Sequence, residues 1–197
     1  MENQYKNRAS TSDRVRRLTG MAMLTAIVVI LQFLGQFIHL GPFSISLVLL
    51  PIVIGAALYG PLAGGWLGFV FSLVVLYTDA SAFLAVSVPG TVITVIAKGT
   101  CAGLAAGAVY SLTQRWNPYV AVTLAAAVAP IVNTGIFLIG CRIFFWPTIA
   151  GWAAALGFES AFAYAIVGMV GVNFLAELAV NLVCSPAVLR ILKAIRI

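Results

Sequence analysis

Apolar residues run on unbroken for the length of a helix several times in this chain, and that continuity restricts what it can fold into. A membrane β-barrel would alternate polar and apolar residues in short segments. Here the runs are continuous and rich in Ala, Leu and Gly, which favours helices that satisfy their own backbone groups. Of the 197 residues, 62% are hydrophobic and 8% charged, against about 25% charged in a soluble domain. Mean hydropathy is +1.10. Such a chain cannot cover itself with a polar surface, so its class is integral membrane protein. The length suits about six spans of roughly 20 residues, and the expected fold is an all-α, six-transmembrane-helix bundle.

The apolar pattern places spans near residues 18–38, 45–58, 62–77, 91–112, 120–144 and 158–183. The second is short for a full crossing and contains Pro51, so a kinked or partial helix is expected there. Gly41-Pro42 and Tyr59-Gly60-Pro61 mark turns. The connection over residues 78–90 is too apolar for an ordinary solvated loop. An outer loop with Trp146, Pro147 and Trp152 leads to the last span. Residues 1–17 form a polar tail, 18–185 the membrane domain and 186–197 a basic tail that leaves the membrane at Ser185-Pro186. The first apolar run is followed by no clean small-x-small cleavage site, so a retained helix is expected rather than a signal peptide.

The net charge of +6 is concentrated. Lys6, Arg8, Arg14, Arg16 and Arg17 precede the first run, Arg115 lies in the polar internal loop, and Arg190, Lys193 and Arg196 follow the last run. The positive-inside rule puts these places, and both termini, in the cytoplasm. The basic residues then serve topology and lipid headgroups, and no basic folded surface is left for nucleic acid. Cys101, Cys141 and Cys184 lack metal-ligand spacing and imply no disulfide framework.

Small residues recur at the spacing of one helical turn: Gly60, Gly64 and Gly68, then Gly99, Gly103 and Gly107. Each set lies on one helix face and lets backbones approach closely in lipid. Ala22 and Ala26 form a similar pair, either for internal packing or for docking on another membrane subunit.

Polar residues inside the apolar runs are few. Gln32, Gln36 and His39 share the outer part of the first span. Asp79 begins the outer connection. Lys98 lies about 10 Å from the outer end of its span at ~1.5 Å per residue. Asn133, Thr134 and Arg142 lie in the fifth span. Glu159 starts the sixth, and Asn173, Glu177 and Asn181 follow on one face. Apart from the deeper Glu177 and Asn181, these groups fall in the outer half, which points to an outward-facing polar pocket walled by spans 1, 4, 5 and 6. An ionisable group in a bundle is usually paired or functional, because burying it alone costs several kcal/mol. Lys98 could instead neutralise Glu159 or Asp79, Arg142 could snorkel to the interface, Asn173 and Asn181 could bond helix to helix, and Glu177 could meet the tail or a partner. A single histidine makes no metal site. No hydrolase, metalloprotease or phosphate-loop motif is present, so no catalysis, cofactor or ATP hydrolysis is expected of this chain. Inverted repeats of a secondary transporter are also missing.

The stretch LTGMAMLTAIVVILQF followed by GPFSISLVLLPIVIGAALYGPLAGGWLGFVFSLVVL, and later AKGTCAGLAAGAVY and NTGIF, resembles the S components of energy-coupling factor (ECF) transporters. The likeness covers nearly the whole chain after the N-terminal tail. It implies a six-helix plasma-membrane protein with both termini inside, high-affinity capture of a vitamin from outside, and as partners a transmembrane coupling subunit with two ABC-type ATPases. The A-x-x-x-A of the family's first helix contacts the coupling subunit, and the matching residues are Ala22 and Ala26. As substrate-binding residues the sequence nominates Lys98, Asn133, Arg142, Asn173, Gln36 and Trp146. Two cations and two amides suit a hydroxylated or amide-bearing anion, pantothenate first and folate next. A thiamine site would want aromatic walls and a carboxylate, for which Trp146, Trp152 and Glu159 are available. A free-standing permease and a non-transporting assembly protein are the rival readings.

Overall fold

In a computed structural model, residues 2–35, 37 and 47–196 are described, with side chains from Asp13 to Ile195. Gln36 and His39 lie outside the described residues. The helices are α1 (Glu2–Gly35), α2 (Leu49–Tyr59), α3 (Pro61–Thr78), the short α4 (Ser81–Leu84), α5 (Val88–Thr113), α6 (Pro118–Phe144), α7 (Trp146–Ala155) and α8 (Ala161–Ala163). The chain then widens into a π-helix over Tyr164–Gly171 and returns to α geometry as α9 (Val172–Arg196). Among the described residues, five helical stretches are long and apolar enough to cross a membrane, the last being Ala161–Ile195. The sixth expected span is α2, with only 11 residues. No strand occurs among the described residues.

Local chemistry sets the helix ends. Asn117 Oδ1 accepts from the N–H groups of Tyr119 and Val120 at 2.8 and 3.4 Å, and Pro118 occupies the first turn, where its missing N–H costs nothing. Ser87 caps α5 in the same way, ahead of Pro89. Gly60 joins α2 to α3 with φ of 94°, a left-handed value that favours glycine. Pro186 does not stop the last helix, which runs on to Arg196.

The short α2 survives at membrane depth because protein surrounds it. It packs against α1, α3, α5, α6 and α9, and its Leu49, Ile52 and Val53 are fully buried. Seven of its 11 residues are buried, so most of this half-length helix meets protein rather than hydrocarbon. The most extensive helix contacts are those of α5 with α3 and α6.

The two glycine series explain the first of these. A Cβ on Gly68 would strike the carbonyl oxygen of Gly99, one on Gly64 that of Gly103, and one on Gly107 the backbone of Pro61. The glycine faces therefore serve internal packing. Side chains inserted there meet backbone that cannot rotate away, and overpacking of this kind costs about 1–3 kcal/mol or more.

At one end of the bundle the basic residues hold chain segments together. Arg16 Nη2 donates to the Ile195 carbonyl at 2.7 Å and Arg17 Nη2 to the Tyr59 carbonyl at 3.0 Å. The start of the first span, the α2–α3 turn and the end of the last helix thus share one face, as the positive-inside pattern requires.

Two apolar cores form. The larger joins Val28, Ile52, Leu67, Phe71, Val95 and Leu192 across α1, α2, α3, α5 and α9. A smaller outer core joins Phe83 of α4, Cys141 and Phe145 at the end of α6, Ile149 of α7 and Tyr164 and Met169 of the π-helix. Phe83 stacks edge-on against Phe137, Phe145 and Trp152 with centroids 5.0–5.6 Å apart. The connection over residues 78–90 is apolar because it carries part of this roof, and the loop expected to hold Trp146 and Trp152 is the helix α7.

Candidate binding cavity

The seam between the two cores is polar. Phe71, Val75 and Val95 of the larger core and Phe83, Phe145 and Val170 of the outer core enclose a cavity of about 80 Å³. Into it α5 presents Thr91, Thr94, Val95 and Lys98, at i, i+3, i+4 and i+7 on one face. From α6 come Asn133, Thr134 and Phe137, from α9 Asn173, Phe174 and Glu177, from α1 Gln32, and from the end of α3 Asp79.

Lys98 stands ten residues into α5, about 15 Å from its outer end, near the middle of a ~30 Å hydrocarbon layer. At that depth the side chain is held by its surroundings. Its ammonium lies 5.3 Å from the Phe137 ring centroid and 5.8 Å from that of Phe71, an arrangement that favours a cation. The acidic side chains acting on it are Glu177, more strongly, and Asp79. Glu159 is exposed and does not line the cavity.

Asp79 is fixed in turn. Its carboxylate accepts from Gln32 Nε2 at 2.8 Å and from Thr78 Oγ1 at 2.7 Å, tying α1 to the end of α3. Below the cavity the polar face of α9 continues: Asn181 Nδ2 donates to the Glu177 carbonyl at 2.8 Å, and Ser185 Oγ lies 3.3 Å from Thr123 Oγ1 of α6. Two groups on the wall have no hydrogen-bond partner among the described residues: Asn133 Oδ1 and Thr94 Oγ1. A buried polar atom without a partner costs about 1–3 kcal/mol, and a bound polar molecule would relieve that cost.

The structure therefore brings together Lys98, Asn133 and Asn173 of the nominated residues. It does not bring in Arg142 or Trp146. Arg142 is exposed, and its guanidinium stacks over the Trp146 ring at 4.8 Å, outside the cavity. Gln36 is not described, while its neighbour one turn earlier, Gln32, is on the wall. The sequence nominates none of Glu177, Asp79 and the phenylalanines 71, 83, 137, 145 and 174, all of which line the cavity.

A membrane bundle with a buried, charged and partly unsatisfied cavity has the form of a solute-binding protein. Comparison with family models decides which kind. The model "ECF transporter, substrate-specific component" matches residues 16–189. The chain belongs to that family. It is thus the substrate-binding S component of an ECF transporter, a multi-pass plasma-membrane protein whose partners are the transmembrane and ATPase subunits of the ECF module. No match to this S component is found among curated proteins or solved structures. The family match, over residues 16–189, includes every residue that lines the cavity.

Proposed function

We propose that this chain captures a vitamin or closely related small solute in the Lys98 cavity and hands it to an ATP-driven ECF module for import. The observation that carries this is the convergence of Lys98, Asn133, Asn173, Asp79 and Glu177 on one cavity at membrane depth. Such a grouping would be destabilising in a purely structural bundle.

The charge balance bears on the ligand. Pantothenate or folate would call for two cations, Lys98 and Arg142. Only Lys98 reaches the cavity, and it faces two carboxylates. Five phenylalanine rings line the same space. Aromatic walls with a carboxylate suit a cation-bearing aromatic vitamin of the thiamine type better than a free anion. A binding panel on the purified protein, read by intrinsic fluorescence, tests this. Thiamine should bind well ahead of pantothenate and folate; tighter binding of either anion would reverse the charge argument while leaving capture intact.

A further inference from the structure

The polar cavity, at about 80 Å³, is small beside the ~300–1,000 Å³ of ordinary ligand sites. A second, apolar space of about 560 Å³ lies directly beside it, between α6 and the last membrane helix. Thr134, Val170 and Phe174 line both. Together the two spaces reach the usual range.

The groove is built by a change of helix geometry. Along α6, Ile131, Thr134, Gly135 and Leu138 share the groove face. Nothing lies within 4 Å of where a Gly135 Cβ would be, so this wall is open. The facing wall is the π-helix and the turn after it, including Val167, Val170 and Gly171. π-helical turns are rare and cluster at functional sites. Val167 and Leu175 are exposed on the outer surface of the bundle, where lipid hydrocarbon lies. On the cavity side Asn133, only 6% exposed, presents an oxygen with no hydrogen-bond partner among the described residues.

We infer that the cavity opens sideways into the outer leaflet between α6 and the last helix, and that its ligand is amphipathic, with a polar end at Asn133 and Glu177 and an apolar arm in the groove. This rests on the capture reading for the polar end. Only Thr134, Val170 and Phe174 stand between the groove and the cavity, and an acyl chain of the bilayer would have no use for the polar chamber behind them. A ligand so placed relieves the unsatisfied Asn133 oxygen and fills a groove that neither helix closes.

The test is chemical access in lipid nanodiscs, in a background with Cys101, Cys141 and Cys184 changed to Ala. Asn133→Cys places a thiol on the cavity wall but not on the groove, and Ala126→Cys, fully buried, is the control. Bilayer-dissolved N-dodecylmaleimide should label Asn133→Cys far faster than the control. Adding Gly135→Trp should slow that labelling about tenfold or more, a barrier increase of ~1.4 kcal/mol. Leu175→Trp, on the facing wall, is an independent filler for the case that the first variant does not fold. Labelling no faster than the control, or unchanged by either filler in folded protein, overturns the sideways opening. Only an acyl chain in the groove would give labelling at Thr134→Cys but not at Asn133→Cys, and that result also overturns it. Vitamin binding is measured separately from the aqueous side, so failure of the portal and failure of capture are distinguishable.

Discussion

Lys98→Ala should abolish high-affinity binding while Lys98→Ala combined with Glu177→Gln restores stability but not binding. Removing the lysine alone leaves Glu177 and Asp79 facing the cavity without their cation. Breaking a buried charge pair from one side costs about 3–5 kcal/mol, so the single variant should also lose thermal stability. Neutralising Glu177 relieves the orphaned charge. The ammonium over Phe71 and Phe137 is still missing, so the rings and the Asp79 carboxylate that a ligand would meet are no longer held in place. Isothermal titration and thermal unfolding on the same preparations separate the two effects. Binding that returns in the double variant would make Lys98 a structural counter-ion only.

Ala22→Trp with Ala26→Trp should stop uptake and leave binding unchanged. Both alanines are exposed on α1, beside the equally exposed Met23, Ile27 and Ile30. None of the five lines the cavity. Small residues one turn apart give a partner helix a close approach, and indole rings would hold it off. Reconstituted vesicles containing the whole ECF module give the uptake readout, and binding to the isolated S component gives the other. Uptake that survives would move the docking surface elsewhere; binding that falls would mean α1 shapes the cavity more than Gln32 alone suggests.

The bundle was largely legible in the sequence because hydrocarbon imposes simple rules. Apolar run length gave the spans, and basic residues gave the side. The glycine periodicity marks two close-packing faces, and only the fold shows that they pack against each other, α3 on α5. Lys98, Asn133 and Asn173 could be grouped by depth alone. Glu177 lines the cavity although a count along a uniform α-helix puts it deeper. The π-helix over Tyr164–Gly171 fits more residues into each turn, so residues beyond it sit higher and are rotated relative to that count. Its sequence, YAIVGMVG, carries no mark of this geometry beyond its two glycines. Arg142 failed for a different reason. It lies within reach of the outer end, but Cys141 and Phe145 take the buried face there, leaving Arg142 outside to stack on Trp146 four residues on. That i, i+4 spacing was a usable signal for an exposed pair. The apolar character of residues 78–90 signalled burial, but only the fold shows that Phe83 is what it buries.

Native mass spectrometry of the protein, released gently from cells grown on rich medium, addresses the central claim most directly. The capture account predicts a retained small molecule of vitamin mass on the wild-type chain and its loss from Lys98→Ala. A bare wild-type chain that also binds no vitamin at micromolar concentration would contradict it.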